Sequence, residues 1–556
     1  IRNAAIHDTY NRCVTVHGTN DLRVENNVTY NTVGHCFFME DGIEHGNQFV
    51  HNLGIQTKCH TSKPCDPTNL GPFGPNGGQN FKTAGQNSKD VLIPSDNTAS
   101  TFWITNPNNV YRDNVAAGSD AIGFWYGLPE HPTGAFEGTD ASKASWPRRT
   151  PLREFKGNVS HSNFDGLMSD RGPRPDGHFS TGGHTALTNT ADANSQQLVT
   201  LIEDFTSYKN RNGGLWARGE MDLFKNLKMA DNAIGYTHAS ANFGRSAYTS
   251  RVVDSLFVGE TENIGNPSTP TEVAYGRSLP VPELADFPIR GYEFYDFRHE
   301  LVNVTFVNFK DNATRKTGAV SYLLFTSFGM STNNTIEQAK FINAKPVYFP
   351  PIERKWSNDD YGNGIYKTAV FHDKDGSVGG VPNSFILIND GIAVDEACQI
   401  KPTWNAAVCR GDFGRMTVGT GGGPVGFGGP GAQAGGASAA PQPPVVLSRN
   451  GKALTVSGET NVRASTEIKV ITDRTSMPLS VRELDSGAWV IFELPGFTTA
   501  ASGTEQSSLD ALRKATATSY YKGNGSLWVK LVSSGDVLGS GPGNGPSGGA
   551  SLQASR

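Results

Sequence analysis

Residues 25–41 read ENNVTYNTVGHCFFMED: two asparagines, a β-branched stretch, a glycine, and a short apolar strand that ends in two acids. The phrase returns as RDNVAAGSDAIGFWY at 112–126, KGNVSHSNFDGLMSD at 156–170, EDFTSYKNRNGGLWAR at 203–218 and KNLKMADNAIGYTHA at 225–239. Asn226 lies 22 residues after Asp204, and Asn158 lies 44 after Asn114, so the step is one turn or two. Short strands and polar turns recurring at this period predict a solenoid in which each repeat is one coil. The apolar spacing of helical repeats is absent. The expected fold is all-β, a right-handed parallel β-helix.

Overlaying the first two strands with an offset of 23 sets Cys13-Val14-Thr15-Val16-His17 against Cys36-Phe37-Phe38-Met39-Glu40. Strand side chains alternate faces. Burying the most apolar surface places Val14, Val16, Phe37 and Met39 inside, with Cys13, Thr15 and His17 outside beside Cys36, Phe38 and Glu40. In-register stacking would set the turn asparagines Asn27, Asn52, Asn114, Asn158 and Asn226 above one another, where their amides can bond along the stack.

The repeat pattern predicts a β-helix over residues 1–418. A Gly/Pro/Ala-rich stretch, 419–444, cannot build a core and reads as a linker. Strand-like alternation over 445–535 predicts a small β-sandwich-like domain, and 536–556 reads as a disordered tail. The insert 59–96, rich in Gly, Pro and Asn, reads as a long loop. The chain opens on Ile inside a repeat, so an upstream segment is expected. A net charge of −5 without a basic tract offers nothing to suggest a nucleic-acid partner, and no apolar run is long enough to span a membrane. Six cysteines are too few for a disulfide scaffold. Cys398 with Cys409, and Cys59 with Cys65, are candidate loop staples of an exported protein.

The interior of such a coil is too narrow for ligands, so chemistry belongs on the outer strand ends. Those ends carry His17, His35, Glu40 and Asp41, then Asp170 and Arg171, Arg218 and Glu220, and His238. Stacked in one sheet they would form a stripe suited to a polyanionic sugar. Arg171 and Arg218 could grip uronate carboxylates, with Asp170 and Glu220 beside them. Glu40 and Asp41 supply the two carboxylates that glycosidic cleavage uses. His17 and His35 could move protons near neutral pH. Trp103, Trp125 and Trp216 read either as coil-stacking residues or as sugar platforms, and Trp125 is the candidate for substrate contact. Glu40-Asp41-Gly42 also reads as a plain turn former. HDKDGS at 372–377 resembles half a calcium loop, which makes Asp373 and Asp375 candidate metal ligands, although the downstream Glu is absent.

Several strings carry a family resemblance: HDTYNRCVTVHGTNDLRVENNVTYNTVGHCFFMEDGIEHGN at 7–47, STFWITNPNNVYRDNVAAGSDAIGFWY at 100–126, then HSNFDGLMSD, KNRNGGLWARG, ADNAIGYT and SLFVGET, and ACQIKPTWNAAVCRGDFGRM at 397–416. They resemble the β-helix region of the cell-migration-inducing and cell-surface hyaluronidases, which the fibrocystin-like receptors share. The linker and tail look more like those of a bacterial-type exported member. The resemblance implies a secreted or cell-surface protein that binds or cleaves hyaluronan, calcium as a cofactor, and a β-rich module upstream. His7, His17, His35, Glu40, Asp41 and Arg218 match the family's motif strings. Two functions follow as expectations. One is endo-hydrolysis (or lyase cleavage) of hyaluronan or a related uronate glycan. The other is a non-catalytic glycan- or protein-binding adhesion or receptor module.

Overall fold

The computed structural model describes residues 1–59, 99–175, 179–180, 182–240, 250–264, 288–295, 298–313, 316–322, 331–349, 370–388, 391–418, 443–456, 459–535 and 548–556. Most of the insert after Cys59, together with Cys65, and the linker 419–442 lie outside these residues.

The repeat winds as a right-handed parallel β-helix. One wall is a nine-stranded parallel sheet running Val14–Val16, Phe37–Met39, Ser100–Ile104, Ile122–Tyr126, Asp165–Ser169, Gly213–Arg218, Ile234–Ala239, Ile289–Phe294 and Thr317–Tyr322. Its first pairing is the 23-residue overlay: Val14 opposes Phe37, Thr15 opposes Phe38 and Val16 opposes Met39. The rest of each coil supplies two strands to a second large sheet, and these meet at a sharp corner. The corner residue is Asn26, His51, Asp113, Gly157, Asp204 or Asn226, each with φ between 54° and 69°. Asn, Asp and Gly tolerate this left-handed conformation with least strain, which is why they punctuate the sequence.

The next residue of each corner points inward and builds the ladder. Asn27 Nδ2 donates to Asn52 Oδ1 (2.9 Å), Asn52 Nδ2 to Asn114 Oδ1 (2.9 Å) and Asn114 Nδ2 to Asn158 Oδ1 (3.1 Å). Asn226 does not join it. It occupies the left-handed corner itself and donates to Asp204, while Phe205 and Leu227 take the buried position and end the ladder. A second ladder, Asn163 to Asn210 to Asn232, runs elsewhere in the coil.

The expected inward set is buried in one core: Val14, Val16, Phe37 and Met39, continued by Phe102, Ile104, Phe124, Tyr126, Leu167 and Leu215. Phe37, Phe102 and Phe124 stack face to face, with centroids 4.7 and 4.6 Å apart. Cys13 and Cys36 are neighbours as the overlay required, but Cys36 sits in the core rather than outside, and the two form a disulfide. Cys398 pairs with Cys409 as expected, and Cys59 is disulfide-bonded.

The winding closes on antiparallel strands, Val370–Asp373, Ser384–Ile388, Cys398–Lys401 and Ala406–Cys409. Beyond them a five-stranded and a seven-stranded sheet share one core, a β-sandwich. Its limits differ from the expectation. Phe413–Val418 pairs with Glu459–Arg463 and Ser476–Arg482, so it belongs to the sandwich and not to the coil. Ala550–Ser555, expected to be disordered, is a strand against Ser476–Arg482. The sandwich docks through buried Glu483, which takes Ser331 and Thr332 as donors and pairs with Arg415 at 2.8 Å. Among the described residues no helix is long and apolar enough to cross a membrane.

Candidate functional site

The registers of the nine-stranded wall set His17, Glu40, Thr105, Gly127, Asp170 and Arg218 in one column at the ends of successive strands, so four members of the expected stripe are aligned. Its two ends have opposite surroundings. At the first coils His17 Nε2 lies 2.7 Å from Glu40 Oε2, and His17 Nδ1 lies 3.5 Å from Asp41 Oδ2. The His17 side chain is 55% exposed and that of Glu40 34%, whereas Asp41 is 1% exposed. One donor atom of each of the three lies within 4.8 Å of the others.

Sequence reasoning missed Glu44, which braces this corner. Fully buried, it accepts from Gly18 N (3.0 Å) and Gly42 N (2.9 Å), locking together the turns that follow His17 and Asp41. Burial pushes its carboxyl above the ordinary range, against the pull of those backbone donors, and the charge of Asp41 adds to the rise. Its signal was the spacing of GIEHG, an acid between two turn glycines. The segment 128–150 was missed as well. Its Phe136 ring lies against Gly18, Pro129 and Pro147 pack on Gly42, and Gly134 lies against the Asp41 carboxylate. This segment covers Asp41 and leaves His17 and Glu40 to solvent.

About 14 Å along the column, three strand spacings away, the polar groups are enclosed. Asp170 accepts from Arg218 Nε (3.1 Å), Trp216 Nε1 (3.0 Å) and Arg171 N (2.8 Å). Burial pushes its carboxyl up, but the Arg218 and Arg171 guanidiniums and the Trp216 donor outweigh this and hold it below the usual value. Arg171, Arg218 and Glu220 are all under 9% exposed. Asp170, Arg171 and Arg218 form a closed ion network, not an open grip for uronates.

Several expected members stand elsewhere. Trp125 is fully buried and donates to Asp170 O, so it offers no platform to a ligand. His35 precedes its strand while Glu40 follows it; the ring is buried against Trp103 at 4.3 Å, with Nδ1 2.7 Å from Ser100 Oγ. His7 is exposed but on the other sheet, in register with Tyr30 and paired with Asp8. His238 is in step with Ala217 and Phe294, hence inside the coil. Asp373 Oδ2 accepts from Val378 N and Gly379 N, and Asp375 from Ser377 N and Gln338 N. These two carboxylates hold turn backbone, and among the described residues the one cluster with metal-ligand spacing is His17, Glu40 and Asp41.

Residues 1–168 match a family model described as the CEMIP β-helix. Over 442 residues the chain is 34% identical to the human cell surface hyaluronidase CEMIP2, covering 75% of this chain and 31% of that protein. It is 33% identical over 448 residues to the human cell migration-inducing and hyaluronan-binding protein, with 75% and 32% covered. Human fibrocystin-L is 32% identical over 233 residues, 42% of this chain and 4% of that protein. The chain thus spans about a third of the length of the hyaluronan-related relatives it matches.

Proposed function

The β-helix of this chain belongs to the family that the cell-migration-inducing and cell-surface hyaluronidases share with fibrocystin-like proteins, and on that premise we propose that the protein depolymerises hyaluronan or a related uronate-containing glycan outside the cell. The observation that carries the reading is the 2.7 Å contact between His17 and Glu40 at a solvent-facing corner, with a second carboxylate, Asp41, beside it. In this reading Glu40 protonates the glycosidic oxygen and His17 exchanges the proton with solvent. Asp41, shielded by segment 128–150, stabilises positive charge developing on the sugar. Water entering from the open side of the corner adds to the anomeric carbon and gives up its proton through His17, while the Glu40 proton leaves with the departing sugar hydroxyl. Disulfides such as Cys13–Cys36 support an oxidising, extracellular location.

A second reading, a glycan-binding module without turnover, draws on the burial of Arg171 and Arg218, which removes the expected carboxylate grip from the surface. Incubating the protein with hyaluronan, chondroitin and pectic polymers separates the two. Falling viscosity that is abolished by Glu40→Gln, with polymer binding kept, supports the enzyme. Binding without chain shortening in the parent protein supports the module. Ultraviolet-absorbing unsaturated ends would mark a lyase instead of a hydrolase.

A further inference from the structure

Among the described residues the corner at His17 gathers three carboxylates, those of Glu40, Asp41 and Glu44, around one imidazole. Glu44 spends its oxygens on the Gly18 and Gly42 amides. Asp41 does not: its Oδ2 is buried, faces the cluster 3.5 Å from His17 Nδ1, and has no hydrogen-bond partner. A buried carboxylate oxygen left without a donor is costly, and native structures resolve that cost with a proton, a water or a cation. The donor atoms of His17, Glu40 and Asp41 lie within 4.8 Å of one another. Ligands about 2.1 Å from one ion stand roughly 3–4 Å apart, so small side-chain rotations suffice.

We infer that His17, Glu40 and Asp41 bind one divalent transition-metal ion of the zinc, cobalt or manganese class. Calcium, which the family resemblance implied, fits these residues poorly. It takes six to eight oxygen ligands, whereas one donor of three here is an imidazole nitrogen, which suits zinc and its neighbours. Asp373 Oδ1 is also buried without a partner, but its Oδ2 and the Asp375 oxygens accept backbone amides, and among the described residues no third His, Cys, Asp or Glu donor gathers with them. Three protein ligands with a solvent-facing side is the pattern of a reactive site rather than a sealed structural one. A bound ion would supply Lewis-acid polarisation of a uronate or glycosidic oxygen; because it would take up the Glu40 and His17 atoms that pass the proton in the metal-free reading, the leaving oxygen would then draw its proton from solvent at the open side. The inference rests on reading this corner as the working site, but it is tested by binding and so can fail separately.

The full chain, stripped with a chelator and dialysed, would be titrated with Co²⁺, Mn²⁺, Zn²⁺ and Ca²⁺ by calorimetry and, for cobalt, by visible absorption. The expected result is one saturable site that takes cobalt or zinc at least ten-fold more tightly than calcium. His17→Ala and Asp41→Asn should each weaken it ten-fold or more, while Asp373→Asn leaves it unchanged. His17 is exposed, so its variant keeps the parent melting temperature and serves as the folding-neutral test. Absence of a saturable site, preference for calcium, or parent-like affinity in His17→Ala overturns the inference. Metal binding without glycan cleavage would remove the enzyme reading and leave the metal site. Cleavage undiminished by the chelator would do the reverse.

Discussion

The two ends of one column on one wall carry the same kinds of side chain and meet opposite fates. His17, Glu40 and Asp41 follow the first strands and keep an open face, whereas Asp170, Arg171 and Arg218 lie at the ends of later strands and are sealed. Stacking explains the alignment but not this difference. What differs is the chain laid over the strand ends: Gly182 and Arg148 close on the Asp170 region, while Phe136 and Pro129 stop beside the His17 corner. A polar stripe on a β-helix becomes ligand surface or buried network according to its cover. The sharpest way to break the comparison is Asp170→Ala. It removes the acceptor of Trp216, Arg218 and Arg171 N, and leaves two guanidiniums buried. The expected loss is about 3–5 kcal/mol in chemical denaturation. Replacing both Asp170 and Arg218 by Leu and Met should recover the larger part; equal damage in the double variant would show that the network does more than neutralise itself.

The closed region should also carry the pH dependence. Burial, helped by Arg218 and opposed by the Gly219 carbonyl, holds His238 down at about 4. An unfolded His titrates near 6.5. As pH falls from about 6.5 toward 4, the unfolded chain binds a proton that the folded ring refuses. The ring's contribution is therefore complete above that window and lost through it, on the order of 3 kcal/mol. Asp222, 3.8 Å away, has its carboxyl raised by burial and by Glu220, and so works in the opposite sense. The measurement is accordingly a difference between parent and His238→Gln, whose stability should fall less steeply between pH 6.5 and 4. Parallel curves would refute the assignment.

A smaller effect belongs to the ladder that aligns both ends. Asn114 Oδ1 accepts from Asn52 N and Nδ2, and its own Nδ2 reaches Phe49 O and Asn158 Oδ1. Asn114→Ala strands buried partners on both neighbouring coils, a cost of about 1–3 kcal/mol. Asn226→Ala, at a half-buried left-handed corner with one side-chain bond to Asp204, should cost less than Asn114→Ala. If the two thermal shifts were equal, the ladder would not be a continuous stabilising element.

The sequence made the coil legible because its period is carried by residues with a local reason to recur. The left-handed corners need Asn, Asp or Gly, and the 23-residue overlay of Val14 and Val16 on Phe37 and Met39 follows from alternation. The same logic brought His17, Glu40 and Asp41 together, since adjacent coils are adjacent in sequence. It failed where cover comes from afar. The ring of Trp103, one coil on, hides His35, and no repeat announces the segment that seals Asp170. Asn226 was misplaced by one position because corner and ladder residues are both asparagine in the first coil. Counting alternation along Ile234–Ala239 would have turned His238 inward. Ala550–Ser555 lacks a strand composition and owes its conformation to the edge of Ser476–Arg482.

The smallest expected change in stability is at the open end, and it sharpens the contrast most. Glu40 is partly solvated and His17 mostly so, and substitutions at such positions generally move stability by no more than about 0.5 kcal/mol. Glu40→Gln keeps the shape and one acceptor oxygen toward His17 while removing the charge. Its unfolding midpoint should match the parent's even as depolymerisation disappears. Loss of stability comparable to that of Asp170→Ala would mean that the corner is a structural ion pair like its buried counterpart. Unchanged stability with unchanged turnover would move the chemistry off this wall altogether. Only the combination of an intact fold and lost cleavage fits a site that the covering chain has left free to act.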